Sequence, residues 1–200
     1  MKVGIYGGTF NPPHSGHIQS ISHLIQNGYL DQIWVMPALI PPHKNIALSI
    51  EHRLKMLEMA FAELNNIKIS DIELKSLQKS YTVNTLEMLK VKYKEIDFFF
   101  ILGADNLKTF HTWKDYKKLL KDNEFIMMRR PDFQIEAGDY SDLSMDEFLK
   151  LTKNSVDTPL IPVSSSQIRE MFYKEPDMVK NYLTKDIFDY IKANNLYMSI

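Results

Sequence analysis

Two glycines, a threonine and two histidines lie close together in the stretch GGTFNPPHSGH, at positions 7–17 of the 200-residue chain. Glycines such as Gly7 and Gly8 let a backbone turn sharply and approach a ligand closely. His14 and His17 are three residues apart, so both rings can face the same ligand if a helix begins between them. The N–H groups in the first turn of such a helix favour an anion. The stretch therefore predicts a site that handles phosphate groups.

The same stretch differs from two better-known phosphate-binding loops. No Gly-Lys-Ser/Thr follows it, as a Walker loop requires, and the glycine spacing of the dinucleotide-binding fingerprint is absent. An alternative interpretation is a glycine turn with two ordinary histidines, and it is sufficient for either histidine taken alone. The string as a whole, placed between an apolar segment and a helical one, favours the phosphate-handling interpretation.

A second cluster lies near the other end of the chain, in the stretch VSSSQIR at positions 163–169. Serines at a helix start cap it and place hydroxyls beside N–H groups, and Ser164, Ser165 and Ser166 suit that role. Arg169 follows about one turn later, where a guanidinium suits a polyphosphate. Taken alone, this segment is explained equally well by a plain serine cap with a surface arginine.

Alternating apolar runs and helical patterns must position both clusters. Strands are predicted at 3–6, 33–36, 67–72, 98–102, 125–128 and 160–163. Helices are predicted at 17–26, after a Ser49 cap, at 81–93, at 112–120, from a Ser144/Glu147 capping box to about 151, and in two or three pieces from 165 onward. This alternation predicts an α/β fold: a Rossmann-like open, mostly parallel sheet with helices on both faces. We expect one domain over 1–200, with a small C-terminal helical segment at about 165–200.

Ligands of open α/β sheets bind beyond the carboxyl ends of the strands. Four segments follow predicted strands and are expected there: 7–17, 37–44, 103–105 and 163–166. The two clusters are therefore predicted to meet at one edge of the sheet.

Composition narrows the classes of function. The chain has no cysteine, which excludes disulfides, thiolate metal sites and cysteine nucleophiles, and fits a cytoplasmic location. Lys and Arg total 24 against 25 Asp and Glu, a net charge of -1 that gives no support to general nucleic-acid or membrane binding. No apolar run is long enough to span a membrane, and the first residues, broken early by glycine, are not expected to form a signal peptide.

Both clusters resemble the signatures of one superfamily, the nucleotidylyltransferases with Gly-Gly-Thr-Phe-x-Pro-x-His-x-Gly-His and Ser-Ser/Thr-x-x-Ile-Arg. The resemblance implies that His14 and His17 contact the triphosphate and stabilise the transition state, with Arg169 completing a clamp. It also implies that Thr9 lies near the phosphates of both substrates. We expect a histidine in contact with phosphate to work best protonated, so that activity falls above the pKa of the imidazole.

Internal segments resemble bacterial nicotinate-nucleotide adenylyltransferases over nearly the whole chain. They are Pro-Pro-His-Lys at 41–44, Ser-Tyr-Thr-x-x-Thr-Leu at 80–86, Gly-Ala-Asp at 103–105 followed by Trp113, Arg-Pro at 130–131, and a tail with Tyr-Leu at 182–183, Tyr-Ile at 190–191 and Leu-Tyr at 196–197. The resemblance implies an enzyme that transfers AMP from ATP to nicotinate mononucleotide in NAD biosynthesis, giving nicotinate adenine dinucleotide and pyrophosphate.

The family resemblance implies a role for each site residue. ATP contacts are expected from Gly7, Gly8, Thr9, Phe10, His14, His17, Gly103, Asp105, Ser164, Ser165, Ser166 and Arg169. Mononucleotide contacts are expected from Thr9, Lys44, Thr85 and Trp113, with the pyridine ring stacked on the indole and its carboxylate on backbone N–H groups. Mg2+ is the expected cofactor, carried with ATP and held mostly by water, without a fixed protein metal site.

Three positions depart from the family pattern. Asn11 stands where many members carry Asp, Lys-Glu-Pro-Asp at 174–177 occupies the region of a frequent Gly, and Leu-Thr-Lys at 183–185 replaces Leu-Val-Pro. We expect local changes of shape there and no loss of activity.

Other interpretations stay open. The acceptor could instead be nicotinamide mononucleotide or phosphopantetheine, although the latter does not explain the 80–86 segment together with Trp113. A cytidylyltransferase is disfavoured on the same grounds, and a tRNA synthetase fragment by the absence of Lys-Met-Ser-Lys-Ser. A non-catalytic nucleotide-binding domain would not need His14, His17 and Arg169. Oligomeric state, a homodimer included, is not settled by the sequence.

Overall fold

The computed structural model describes residues 1–40, 48–75, 79–129, 140, 142–159 and 162–198. Within them, six strands form one sheet in which every neighbouring pair is parallel. They are β1 Lys2–Gly8, β2 Gln32–Pro37, β3 Ile67–Ile69, β4 Asp97–Gly103, β5 Glu124–Arg129 and β6 Ser155–Asp157. Their order across the sheet is β3-β2-β1-β4-β5-β6.

The helices that connect the strands cover both faces of the sheet. They are α1 Ser15–Gln26, α2 Ile50–Phe61, α3 Thr82–Lys92, α4 Leu107–Phe110, α5 Tyr116–Asp122, α6 Met145–Thr152, α7 Ser165–Lys174 and α8 Lys185–Ala193. Turns of 3-10 helix lie at Ile72–Lys75, Ala104–Asn106 and Met178–Asn181.

Each face of the sheet has its own apolar core. On one face, α1, α2, α7 and α8 pack together through buried residues such as Leu24 and Ile187. On the other, α3, α4, α5 and α6 pack through residues such as Leu86 and Leu119. Because both faces are covered, the central strands are apolar without alternation, and β2 buries all of residues 33–37.

The strand order reverses between β1 and β4. The chain leaves β1 for β2 on one side and later returns to pair β4 on the other side of β1. The segments after these two strands therefore leave toward opposite faces, and a crevice opens between them at the carboxyl edge. Gly8 and Gly103 end the two strands, so the first predicted cluster and the 103–105 segment flank this crevice.

The predicted fold class is confirmed, and five predicted strands overlap observed ones. The sixth prediction is wrong, because the strand lies at Ser155–Asp157 and the described residues of 160–163, Pro162 and Val163, belong to no strand. This edge strand buries only its central Val156 between two polar neighbours, which leaves almost no apolar pattern to detect.

The helix predicted at 112–120 is also different in the structure. Only the second half of the predicted range is helical, as α5, which follows the N-cap residue Asp115 with its positive φ of 50°. The short helix α4 lies before the predicted range. The C-terminal helices occur in pieces on either side of Pro176, as predicted, and they share a core with α1 and α2. The single domain over 1–200 stays a prediction.

Candidate active site

The loop after β1 depends on two tightly packed positions. Phe10 has a φ of 47°, in the left-handed region that residues with side chains rarely adopt, and it is only 1% exposed. A Cβ on Gly8 would lie 2.9 Å from the Phe10 ring, so this position has room only for glycine. The same ring meets the His17 imidazole edge-on, with centroids 5.2 Å apart. Phe10, predicted to contact ATP, thus supports the loop and His17 from beneath.

His14 and His17 together cap the start of α1. Nδ1 of His14 accepts a hydrogen bond from the Gly16 N–H at 3.2 Å, and Nδ1 of His17 accepts one from the His14 N–H at 3.2 Å. An accepting ring nitrogen carries no hydrogen, so these bonds assign the hydrogen of each neutral imidazole to Nε2. The ring centroids are 3.8 Å apart. The caps therefore use Nδ1 of both rings, and the two Nε2 atoms lie outside them. The expectation of a protonated ring stays a prediction.

The start of α7 is hydrogen-bonded directly to the loop after β1. The Ser165 hydroxyl donates to the Pro12 carbonyl at 2.8 Å. Arg169 donates from Nη1 to the Asn11 carbonyl at 2.8 Å and from Nη2 to the Ser166 hydroxyl at 3.1 Å. The two clusters recognised in the sequence are thus parts of one structure, although 153 residues separate Pro12 from Ser165.

Asn11, one of the three departures from the family pattern, is held from two sides. Arg169 binds its main-chain carbonyl, and the Tyr197 hydroxyl donates to its side-chain Oδ1 at 2.6 Å. Burial raises the pKa of the Tyr197 hydroxyl well above its usual range, so the phenol keeps its hydrogen and acts as the donor. The amide therefore serves as a neutral acceptor that ties the C-terminal segment to the loop.

A cleft of about 620 Å3 opens where these segments meet. Its lining includes all twelve residues predicted to contact ATP: Gly7, Gly8, Thr9, Phe10, His14, His17, Gly103, Asp105, Ser164, Ser165, Ser166 and Arg169. The N-termini of two helices, α1 and α7, begin in this lining, the latter capped by the Ser164 hydroxyl. Helix N-termini, hydroxyls and a guanidinium form a donor set suited to a polyphosphate.

The segment after β4 forms the opposite wall of the cleft. A Cβ on Gly103 would lie 2.5 Å from Oδ1 of Asp105, so glycine lets this carboxylate fold back toward the strand. The next residue, Asn106, donates from Nδ2 to the Gly103 carbonyl at 3.2 Å and also lines the cleft. Sequence reasoning did not select Asn106, whose only signal is its place directly after Gly-Ala-Asp.

A second cavity of about 250 Å3 adjoins the cleft and holds the predicted mononucleotide residues Thr9, Thr85 and Trp113 in its lining. Trp113 packs one side of its indole on Phe110, with centroids 5.2 Å apart at 33°, and is partly exposed. Gly7, Gly8, Thr9, Phe100, Asn106 and Trp113 line both spaces. Lys44 and the rest of 41–47 lie outside the described residues, as do 130–131.

Glu73 is a titratable residue in the second cavity that sequence reasoning missed. Its Oε1 accepts a hydrogen bond from the buried Thr85 hydroxyl at 2.6 Å. Burial raises the pKa of the Glu73 carboxyl above its ordinary value, and the hydroxyls of Thr85 and Ser80 counteract part of that shift. The residue lies in a 3-10 turn with no motif around it, so no local pattern marks it.

Two kinds of site do not occur in the part of the chain that the structure covers. It contains no group of three or more His, Cys, Asp or Glu arranged to hold a metal ion. Nor does any helix there combine the length and apolar character needed to cross a membrane.

Comparisons with known proteins agree with this geometry. A family model described as cytidylyltransferase-like matches residues 5–171. The probable nicotinate-nucleotide adenylyltransferase of Bacillus licheniformis is 37% identical over 98% of both chains, and the nicotinate-nucleotide adenylyltransferase of Bacillus subtilis is 36% identical over 99% of both. The chain belongs to the nicotinate-nucleotide adenylyltransferase family.

A solved structure shares the fold of this family member. The nicotinic acid mononucleotide adenylyltransferase of Plasmodium falciparum, complexed with NaAD, superposes with a TM-score of 0.79 and 23% identity over 98% of this chain and 97% of its own. The family membership confirms the predicted resemblance and makes the chain a nucleotidyltransferase. The adenylyltransferase also carries both signatures on one cleft, as the sequence predicted.

Proposed function

We propose that the chain transfers AMP from ATP to nicotinate mononucleotide, forming nicotinate adenine dinucleotide and releasing pyrophosphate in NAD biosynthesis. One observation carries the proposal: the cleft built from both phosphate signatures opens into a second cavity lined by Thr85 and Trp113. Thr9 lines both spaces, at the place where the phosphates of the two substrates must meet. The names of the Bacillus relatives give the same reaction for those proteins.

The chemistry requires positioning and charge stabilisation more than a base. An oxygen of the mononucleotide phosphate attacks the α-phosphorus of ATP in line, the bond from that phosphorus to the bridging oxygen breaks, and pyrophosphate leaves with the bond's electrons. The attacking phosphate is already anionic at neutral pH, so it needs no proton removed. The site must overcome repulsion between two anions and stabilise charge on the leaving group.

In this proposal the cleft residues act on the triphosphate. His14 and His17 donate from Nε2, since their Nδ1 atoms are occupied as acceptors in the α1 cap. Arg169 contributes positive charge beside them, and the N-terminus of α7 contributes N–H groups and serine hydroxyls. Gly103 and Asp105 hold the nucleotide sugar or base.

The second cavity receives the mononucleotide. The pyridine ring stacks on Trp113, beside Thr85. The family resemblance assigns Lys44, which lies outside the described residues, to the mononucleotide phosphate. Helix α3 begins in this cavity at Thr82, and its N-cap residue makes no side-chain cap bond, so first-turn N–H groups are suited to the nicotinate carboxylate.

Nicotinamide mononucleotide is the second candidate acceptor, and one observation favours it. The Glu73 carboxyl lies in the lining of the same cavity and accepts a hydrogen bond from Thr85, and such an acceptor suits the N–H groups of an uncharged amide. The two acceptors therefore have to be compared directly.

Mg2+ enters the proposal as part of the substrate, as MgATP. Asp105 is a carboxylate in the cleft lining that could contact a water of the hydrated ion, and no larger carboxylate cluster accompanies it among the described residues. This donor set fits an ion that arrives with the phosphates.

A cytoplasmic location and a homodimer also belong to the proposal. Light scattering of the purified protein tests whether it is a homodimer.

Pyrophosphate release tests the function. The protein is incubated with ATP and Mg2+ and, in separate reactions, nicotinate mononucleotide, nicotinamide mononucleotide or phosphopantetheine. We expect the highest kcat/KM with nicotinate mononucleotide. Release with only another acceptor would replace the substrate assignment, and no release with any of them would support a non-catalytic nucleotide-binding domain.

A further inference from the structure

Arg53, in the first turn of α2, is a charged side chain enclosed by the protein. It is 2% exposed, and its Nη1 donates to the carbonyls of Thr9 at 3.0 Å and Ala38 at 2.8 Å. Thr9 directly follows β1 and Ala38 directly follows β2, so one guanidinium ties together the loops after two neighbouring strands. Neither signature of the family includes this residue.

The charge of Arg53 has no counterion in the described parts of the chain. No carboxylate there forms an ion pair with it, and its Nε is buried without a hydrogen-bond partner. Desolvation lowers the pKa of Arg53 and the Glu51 carboxylate raises it, but a guanidinium stays charged in a protein. A buried, unpaired charge is costly, and a neutral donor could have bound the same two carbonyls.

Both carbonyls belong to residues that face the substrate spaces. Thr9 lines the cleft and the second cavity, and Ala38 lines the second cavity. The side chain thus lies directly behind the loop that begins the phosphate cluster. Its field is weakly screened there, because protein and not water surrounds it.

We propose that Arg53 is a positioning residue that joins the two loops and supplies a fixed positive charge beneath the phosphate-binding loop. The phosphate groups of the substrates then balance the charge of Arg53, which rests on the proposed function. Arg53 touches no substrate in this account. It holds the main chain of Thr9 in place and lowers the energy of anions bound above it.

The test separates charge from packing with variants at one position. Arg53→Lys keeps the charge, Arg53→Gln keeps a donor without charge, and Arg53→Met is a second neutral variant should the glutamine form not fold. Lys55→Gln is the matched control, because it removes one positive charge from the same helix at an exposed residue whose ion pair is with Glu58. Calorimetry then measures the affinity of each folded variant for inorganic pyrophosphate and for uncharged adenosine.

We expect the neutral Arg53 variants to bind pyrophosphate about tenfold or more weakly, the effect of one charge about 10 Å from an anion at an effective dielectric constant of about 20. Arg53→Lys should recover most of that loss, and Lys55→Gln should bind as the wild type does. Adenosine affinity should not change, since it carries no charge. A purely structural role predicts equal losses for both ligands and no recovery by lysine.

Two outcomes would overturn the inference. One is a folded neutral variant that binds pyrophosphate as tightly as the wild type, and the other is a parallel loss of adenosine binding. Wild-type turnover with nicotinate mononucleotide is measured in the same preparation. Its absence counts against the proposed function, whereas unchanged pyrophosphate affinity in Arg53→Gln counts against the role of Arg53 alone.

Discussion

His17 combines two tasks on different nitrogens, and two substitutions can separate them. Nδ1 caps α1 by accepting the His14 N–H, and Nε2 is the proposed donor to the transition state. In His17→Asn, the amide oxygen reaches about as far as Nδ1, so the cap can persist without the donor. In His17→Gln, the amide nitrogen reaches about as far as Nε2, so a donor can persist without the cap.

The two tasks differ in the size of the effect that their loss should produce. Loss of one preorganised donor lowers kcat by about 10²–10³-fold. Loss of a cap costs about 1 kcal/mol, which lowers the Tm of a domain of this size by about 2–4 °C. We therefore expect His17→Asn to unfold near the wild-type temperature with a greatly reduced kcat. We expect His17→Gln to unfold earlier with most of its kcat, and His17→Ala to lose both.

Pyrophosphate release at saturating ATP and nicotinate mononucleotide gives kcat, and thermal unfolding of the same samples gives Tm. Wild-type turnover by His17→Asn would refute the reasoning, because it would leave His17 with the cap alone. A glutamine variant as slow as the alanine variant, at an unchanged Tm, would contradict the assignment of the donor to Nε2.

Three further predictions follow from the second cavity and from the metal. Trp113→Ala should raise KM for the mononucleotide by about tenfold, the scale of one lost stacking contact, and Trp113→Phe should raise it by less. Steady-state kinetics measure both KM values, and an equal rise in KM for ATP would contradict the prediction. Glu73→Gln should become more stable relative to the wild type as pH rises above about 4.5. Burial raises the pKa of Glu73, so the wild type loses stability as the buried carboxyl ionises. Urea unfolding of both proteins at acid and neutral pH measures the difference in stability, and a difference that does not change with pH would contradict the prediction. Chelation of Mg2+ should stop turnover and leave Tm unchanged, whereas a lower Tm would reveal a structural ion.

Much of the fold could be predicted because apolar periodicity is a local property of the sequence. β4 and α1 each bury a regular set of residues, and the predicted bounds of both lie within a few positions of the observed ones. β6 has three residues and a single buried side chain, so it gives no such pattern. Its place in the sheet is decided by pairing with β5, which the local sequence does not encode.

The cleft could be predicted in outline because both signatures follow strands at the same edge of the sheet. The contacts that fix it could not. Tyr197 contacts Asn11 across 186 residues of sequence, and Arg53 contacts Thr9 across 44. Glu73 is hydrogen-bonded to Thr85 and belongs to no recognisable motif. Such pairs are set by tertiary packing, and one sequence without an alignment does not reveal them.

The hydrogen bonds from Ser165, Arg169 and Tyr197 to the loop at Asn11 and Pro12 also bear on folding and synthesis. A ribosome releases the glycine-histidine loop before it releases the residues that close it. Contacts between such distant parts of a chain form late and slow the folding of the whole domain. Catalytic competence should therefore appear only after Ser165, Arg169 and Tyr197 have docked on the loop.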